Sequence, residues 1–275
     1  MTERIVRVNG VDLCVETFGR STEPTVLLVG ASLLTWDEEF CRRLAAGGRQ
    51  VVRYDVRDTG RSTTDPAGEP SYTLRDLVAD AVGVLDELGV GRAHVVGFSA
   101  GGWIAQLLAL DHADRVASLT LIATRPTSPG PADADLPEHD EGYMSWMAEA
   151  GEPDWTDRDA VVAHLVEDER RLAGPVGFDE ETARRRGEGM VDRARNIAAH
   201  DNIAFADHGD RWRERLGEID TPTLVVHGTA DPFFPYGNGV ALAREIPGAE
   251  LLTLDGVGHA LPRAVWDEVV PALLR

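Results

Sequence analysis

The chain has 275 residues, 43 % hydrophobic and 27 % charged, the balance of an ordinary globular protein long enough for a full hydrophobic core. Its 47 acidic and 27 basic residues give a formal net charge of −20, which disfavours nucleic acid and anionic membrane surfaces as partners, because phosphate contacts need a basic face. Every basic residue is arginine, so lysine Schiff bases, pyridoxal phosphate anchoring and a P-loop lysine are excluded.

The first half alternates strand and helix patterns. "RIVRV" and "DLCVETFG" read as two adjacent antiparallel strands joined by the Asn9-Gly10 turn. The charged, alternating start "MTERIVRVNGVDL" reads as a strand and not as a secretory signal, and no apolar run approaches the length of a membrane span. "TVLLVG" is a short continuous apolar run, as expected for a strand buried on both faces, and the helix "WDEEFCRRLAAGG" follows it. "QVVRYD" is the next strand and "TLRDLVADAVGVLDELG" the next helix, with its apolar residues at helical spacing. Then come the strand "AHVVG", a turn at Ser99, a helix to about Asp111 and the strand "VASLTLIA".

From Arg125 to about Arg213 this rhythm stops. The segment opens on "RPTSPGPADADLPEHDEG", rich in proline and acid, and continues with scattered aromatics and helical stretches. Alternation resumes with "TPTLVVHG", "GNGVALAREIP", "AELLTLDG" and the closing helix "RAVWDEVVPALL". The pattern predicts an α/β fold, a doubly wound, mostly parallel eight-stranded sheet with a helical lid insertion. Residues 1–124 and 214–275 are expected to form the core domain and 125–213 the lid. Cys14 and Cys41 have no C-x-x-C partner or His/Cys cluster nearby. They are expected to be buried apolar residues in a reducing compartment, with no metal, in a cytoplasmic protein.

"HVVGFSAGGWIAQLLAL" passes from a strand pattern to a helical one with Ser99 between Gly97 and Gly101. In an open parallel sheet, ligands bind beyond the carboxyl ends of the strands. A serine on a very tight strand-to-helix turn points its side chain out at that rim, and only glycine fits two residues before and after it. Gly97-Phe98-Ser99-Ala100-Gly101 is therefore read as a nucleophile elbow, G-x-S-x-G. An ordinary serine N-cap is the simpler alternative, but the preceding strand and following helix favour the elbow.

A serine hydroxyl needs a base, and the base an orienting acid, in the chain order Ser, acid, His. Of the eight histidines, His259 in "DGVGHALP" follows the last strand, on a loop that Gly256 and Gly258 free to turn inward, and is the expected base. His227 ends a core strand and would need an acid from elsewhere. Asp231 in "VVHGTADPFFP" occupies the neighbouring rim loop and is the expected acid. Asp255 stands too close to His259 along the chain, and the rim position after "SLTLIA" holds Thr124, which cannot serve. Two backbone donors must meet the oxyanion. The expected pair is the amide of Ala100 and that of Ala31 in "VGASLLTW", with Ser32 as second choice for the latter.

With "RYDVRDTGRSTT", "LDELGVGRAHVVGFSAGG", "ALDHADRVASLT", "ADPFFP" and "GVGHALP", the chain resembles the α/β-hydrolase superfamily along its length, and within it the aclacinomycin methylesterases of anthracycline biosynthesis. The resemblance implies a cofactor-free serine esterase with Ser99 as nucleophile, Asp231 as acid and His259 as base. Ala31 and Ala100 match the oxyanion positions. The chain departs from those esterases at Ala100, where they carry a bulkier methionine, and in a shorter, more acidic insertion.

The insertion is expected to cover the pocket and exclude water. Tyr143, Met144, Trp146, Met147, Trp155, Phe178, Met190 and Phe205 are candidates for its inner face, and Leu33, Phe98 and Trp103 for the pocket floor. Tyr143, Trp146 and Met147, with those three floor residues, are the expected substrate contacts. The expected substrate is a small-molecule ester with apolar groups, acted on by a monomer or homodimer. A lactonase, thioesterase, C–C hydrolase or cofactor-free perhydrolase would use the same triad, and a ligand-binding receptor is the alternative of another class. Arg125 stands at the lid hinge as a basic residue with access to the site, and "DVRDTGRS" reads as a structural turn holding Arg57 and Asp58 in a local ion pair.

Overall fold

The computed structural model describes residues 3–275. The strands β1 (Arg4–Val8), β2 (Val11–Phe18), β3 (Thr25–Val29), β4 (Gln50–Tyr54), β5 (Ala93–Phe98), β6 (Val116–Ile122), β7 (Thr223–Gly228) and β8 (Glu250–Leu254) form one sheet. Its order is β1-β2-β4-β3-β5-β6-β7-β8. The pairs β1–β2 and β2–β4 are antiparallel and every other pair is parallel. Asn9 and Gly10 both take positive φ, the backbone twist that a two-residue hairpin needs.

The buried strands read as apolar runs because helices cover both faces of the sheet. Val26 and Leu28 face the layer of α1 (Glu38–Ala46) and α8 (Trp266–Leu273), where Phe40, Leu44, Trp266 and Val269 pack. Leu27 and Val29 face α2 (Leu74–Glu87), α3 (Ala100–Asp111) and α7 (Gly237–Glu245). This alternation is the two-residue period of a strand with apolar neighbours on both sides. α3 is buried along almost its whole length, from Gly101 to Ala109, because α2 and the segment around Trp212 and Leu216 cover the side away from the sheet.

Between β6 and β7 the chain leaves the sheet to form α4 (Glu141–Ala150), α5 (Arg158–Leu172) and α6 (Glu180–Arg193). α5 and α6 pack through Val162, Val166 and Ala183. Two helices start later than the apolar pattern proposed. α1 begins at Glu38 with Asp37 as its cap, leaving Trp36 buried in a preceding turn, and α8 begins at Trp266. The expected Arg57–Asp58 pair is corrected. Arg57 reaches across to Asp80 on α2, at 2.7 and 2.8 Å, because Asp58 is buried and already takes the hydroxyl of Tyr72 and the amide of Asn202. Among the described residues no helix is long and apolar enough to cross a membrane.

Cys14 and Cys41 are both free and buried, and burial above all pushes each thiol up to about 12. Only the thiolate reacts, so native protein at mildly alkaline pH is expected to resist iodoacetamide while both thiols are alkylated on denaturation. Mass spectrometry of the two samples checks this. Rapid alkylation of either cysteine in the native protein would contradict it.

Candidate active site

Ser99 follows β5 with φ 54° and ψ −122°, one of four non-glycine residues at positive φ among the described residues. Such backbone persists only where its surroundings enforce it. Here the Ser99 N–H donates to Ile122 O of β6 at 3.0 Å, and Gly102 N–H donates back to Ser99 O at 2.9 Å. The flanking glycines let the turn close. A Cβ on Gly97 would stand 2.4 Å from Gly101 O, and one on Gly101 would stand 2.2 Å from Val29 O at the end of β3. The first contact joins the strand to its own helix, and the second presses α3 against the loop that carries Ala31.

Three residues selected from separate parts of the sequence meet at this rim. Ser99 Oγ lies 2.8 Å from His259 Nε2, and His259 Nδ1 lies 2.9 Å from Asp231 Oδ2. Facing a carboxylate, Nδ1 carries the ring proton, which leaves the Nε2 lone pair to accept from the serine hydroxyl. Asp231 is fixed on its other oxygen, where Oδ1 accepts the N–H groups of Phe233 and Phe234 at 2.9 and 2.8 Å. Burial alone would raise its pKa, but the charge and hydrogen bonds of His259 and His227 outweigh burial and hold the carboxyl below the ordinary range. His227 does not approach the serine. Its Nε2 donates to Phe234 O at 2.7 Å and lies 3.5 Å from Asp231 Oδ2, so it braces the Asp231 loop.

The imidazole of His259 is surrounded by phenylalanines. Phe98, Phe233 and Phe234 stand 5.3, 5.2 and 5.4 Å from it, centroid to centroid, which keeps water from most of the ring. Its loop is held from the helical insertion. His259 N–H donates to Leu172 O at 2.7 Å, Gly258 N–H to Ala173 O at 2.9 Å, and Val176 N–H to Gly256 O at 3.0 Å. The close of α5 and the segment after it are thus joined by backbone bonds to the loop of His259.

Ala31 follows β3 on the loop that Gly101 touches. Its carbonyl accepts from Thr59 Oγ1 at 2.8 Å, and the next amide, Ser32 N–H, donates to Thr35 Oγ1 at 3.3 Å. Among the described residues neither the Ala31 nor the Ala100 amide has a protein acceptor. Both are therefore available to a developing negative charge, Ala100 at the N-terminus of α3. Leu33 N–H goes instead to Asp55 Oδ1 at 3.0 Å, which fixes the far side of the loop.

The other expected contacts divide. Leu33 is fully buried, and the residue on the wall of the cavity beside Ala31 is Leu34, because the short turn starting at Leu33 directs successive side chains differently. Trp103 lies one layer behind the site, packed on Phe234 at 5.9 Å. Tyr143 is buried, with its hydroxyl donating to Asp168 on α5 at 2.8 Å and its ring edge-on to Phe233. The guanidinium of Arg171 covers a face of Trp146 at 5.5 Å. Met147 and Phe205 are 41 % and 66 % exposed, so Phe205 is not on the inner face of the insertion. Arg125 does not reach the site. Its guanidinium is buried against Phe234 and donates to the carbonyls of Thr127, Ser128 and Gly130, closing the hinge. Asp55, Thr59 and Arg193 were not among the residues expected at the site. The rim position of Asp55, directly after β4, was the one available signal.

Comparisons with known proteins agree on the family. A model of the alpha/beta hydrolase fold matches residues 24–262. The chain is 32 % identical to rhodomycin D methylesterase DauP of Streptomyces sp. (strain C5), over 99 % of this chain and 97 % of that one. It is 33 % identical to rhodomycin D methylesterase DnrP of Streptomyces peucetius with the same coverage. Among solved structures it superposes on the esterase RhEst1 from Rhodococcus sp. ECU1013 with a TM-score of 0.81, covering 99 % of this chain and 98 % of that one at 20 % identity, a likeness of fold.

The close approach at Gly101 gives a direct test of the elbow. Gly101→Ala is expected to destabilise the protein by about 1–3 kcal/mol in chemical denaturation, since the added carbon meets backbone that cannot move aside. Gly217→Ala, where a Cβ meets nothing within 4 Å, serves as the tolerant control. Equal stability of the two variants would contradict the packing described.

Proposed function

The chain belongs to the α/β-hydrolase fold family, and on that premise we propose that it is a serine esterase that hydrolyses a carboxylic ester, in particular the methyl ester of a polyketide-type small molecule. The observation that carries this reading is the chain of contacts from Ser99 Oγ to His259 Nε2 and from His259 Nδ1 to Asp231, at 2.8 and 2.9 Å. The methyl-ester substrate is supported by the 32–33 % identity to the two methylesterases over nearly their full lengths.

In the proposed reaction His259 Nε2 takes the hydroxyl proton as Ser99 Oγ bonds to the ester carbonyl carbon. The Ala31 and Ala100 amides bind the resulting oxyanion, and Asp231 holds the imidazolium that forms. Collapse of the tetrahedral intermediate breaks the C–O bond, and the leaving alcohol takes its proton from His259. A water then gives its proton to His259 and attacks the acyl carbon, which releases the acid and restores Ser99. No cofactor enters these steps.

Residues 125–213 act as the lid over a core formed by 1–124 and 214–275. The phenylalanines around His259, with Tyr143, favour an apolar substrate over a charged one. Two buried free cysteines fit a cytoplasmic protein, working as a monomer or homodimer on a small molecule.

Wild-type protein is expected to release methanol from hydrophobic methyl esters and to be labelled by a fluorophosphonate. Ser99→Ala is expected to lose labelling and to lower kcat by about 10⁴ or more with folding intact by circular dichroism. Wild-type protein that is folded but neither labelled nor active on any ester would refute the assignment.

A further inference from the structure

His227 stands near the end of β7 with its side chain fully enclosed. Phe234 O can only accept, so the 2.7 Å contact assigns the ring proton to Nε2. Nδ1 is then an acceptor, and among the described residues it has no donor. α7 presses on that side of the ring, where a Cβ on Gly239 would stand 2.6 Å from Nδ1. The ring is therefore wedged, with Nε2 aimed at the Asp231 loop. A buried acceptor left unpaired costs stability, and an apolar side chain at position 227 would avoid that cost. The purpose of a histidine here lies with its other nitrogen.

That N–H acts on the acid in two ways. It lies 3.5 Å from Asp231 Oδ2, the oxygen that takes His259 Nδ1–H at 2.9 Å. It also holds Phe234, whose own N–H donates to Asp231 Oδ1 at 2.8 Å. The two preceding carbonyls are held from the insertion instead, Pro232 O by Asp140 N–H and Phe233 O by His139. His227 thus supports the acid from the sheet. The positive pole of an N–H beside Oδ2 stabilises the carboxylate and weakens its pull on the proton of His259.

We propose that His227 is a positioning residue for the triad, whose Nε2–H acts through Asp231 to lower the proton affinity of His259, so that the base stays free to accept from Ser99 at lower pH. The proposal rests on the reading of Ser99, Asp231 and His259 as catalytic. Without this N–H the carboxylate draws a proton onto His259 more strongly, and the base becomes charged at a higher pH. The other titratable groups around the acid and base are Tyr143 on α4, Asp168 on α5, whose carboxyl burial pushes up, and His139 in the insertion. They are the same in every variant compared, so a difference between variants belongs to His227.

The test is the pH dependence of kcat/KM for p-nitrophenyl butyrate. His227→Leu is expected to move the acid limb up by about one pH unit, the scale of a shared hydrogen bond to a charged group. His227→Gln, whose amide N–H can stand where Nε2–H stood, is expected to return the limb towards wild type. A residue that only supports the fold would lower kcat/KM at every pH and leave the limb in place. That result, a limb that moves down, or equal shifts in the two variants would overturn the proposal. His227→Phe decides should His227→Leu fail to fold. The wild-type protein gives a check that needs no variant, because 15N NMR is expected to show the Nε2–H tautomer at His227, and an Nδ1–H tautomer would also overturn the proposal. The same spectra follow the titration of His259 without substrate. If no ester is turned over while that titration moves up in His227→Leu and returns in His227→Gln, the esterase reading falls and the role of His227 stands. Ester hydrolysis with limb and titration both unmoved by His227→Leu does the reverse.

Discussion

Ser99 holds a backbone conformation, φ 54° and ψ −122°, that costs roughly 1–3 kcal/mol for a residue with a side chain, and the geometry at the strand ends depends on its being held. Two packed neighbours enforce it. β6 takes the Ser99 amide, and α3 lies so close to β3 that only a glycine at 101 clears Val29 O. α3 resists displacement because it is covered on nearly every side. The strain is therefore carried by the most deeply buried helix of the molecule, and its result is a hydroxyl raised above the sheet with two unpaired amides near it.

A second constraint ties the helical insertion to the same rim. Asp55, with no solvent exposure, accepts from Leu33 N–H in the Ala31 loop, from Arg61 N–H in its own turn and from Arg193 at the end of α6. On the opposite side, the end of α5 holds the His259 loop through backbone bonds. These two attachments of the insertion thus fall beside proposed catalytic groups. In a chain with a net charge of −20 and no lysine, the first of these joints is built from an arginine, whose fork satisfies several acceptors at once.

The doubly wound, mostly parallel eight-stranded sheet was legible because each strand and helix announces itself by its own period, and strands alternating with helices point to parallel pairing. The meeting of Ser99, Asp231 and His259 followed from the same logic, since each stands on a loop after a strand and all such loops share one edge. What the sequence withheld depends on long-range pairing. Arg57 has Asp58 beside it in the chain, yet bonds to Asp80, because Asp58 is buried against Tyr72 and Asn202. Arg193 and Asp55 lie 138 residues apart, beyond any local pattern. Leu33 and Leu34 are both apolar, and the turn geometry alone decides which meets the cavity. Phe205 reads as buried by composition and is 66 % exposed, because hydrophobicity does not say which way a short turn faces.

The central claim is that the strained serine, the base and two amides from different loops converge on one carbonyl. A crystal structure of the protein after reaction with an alkyl phosphonate, whose phosphoryl oxygen stands in for the oxyanion, tests it most directly. The account predicts phosphorus bonded to Ser99 Oγ, with that oxygen about 2.7–3.1 Å from both the Ala31 and Ala100 nitrogens and His259 still bonded to Asp231. Phosphorus on another residue, or an oxygen that turns away from both amides, would contradict it.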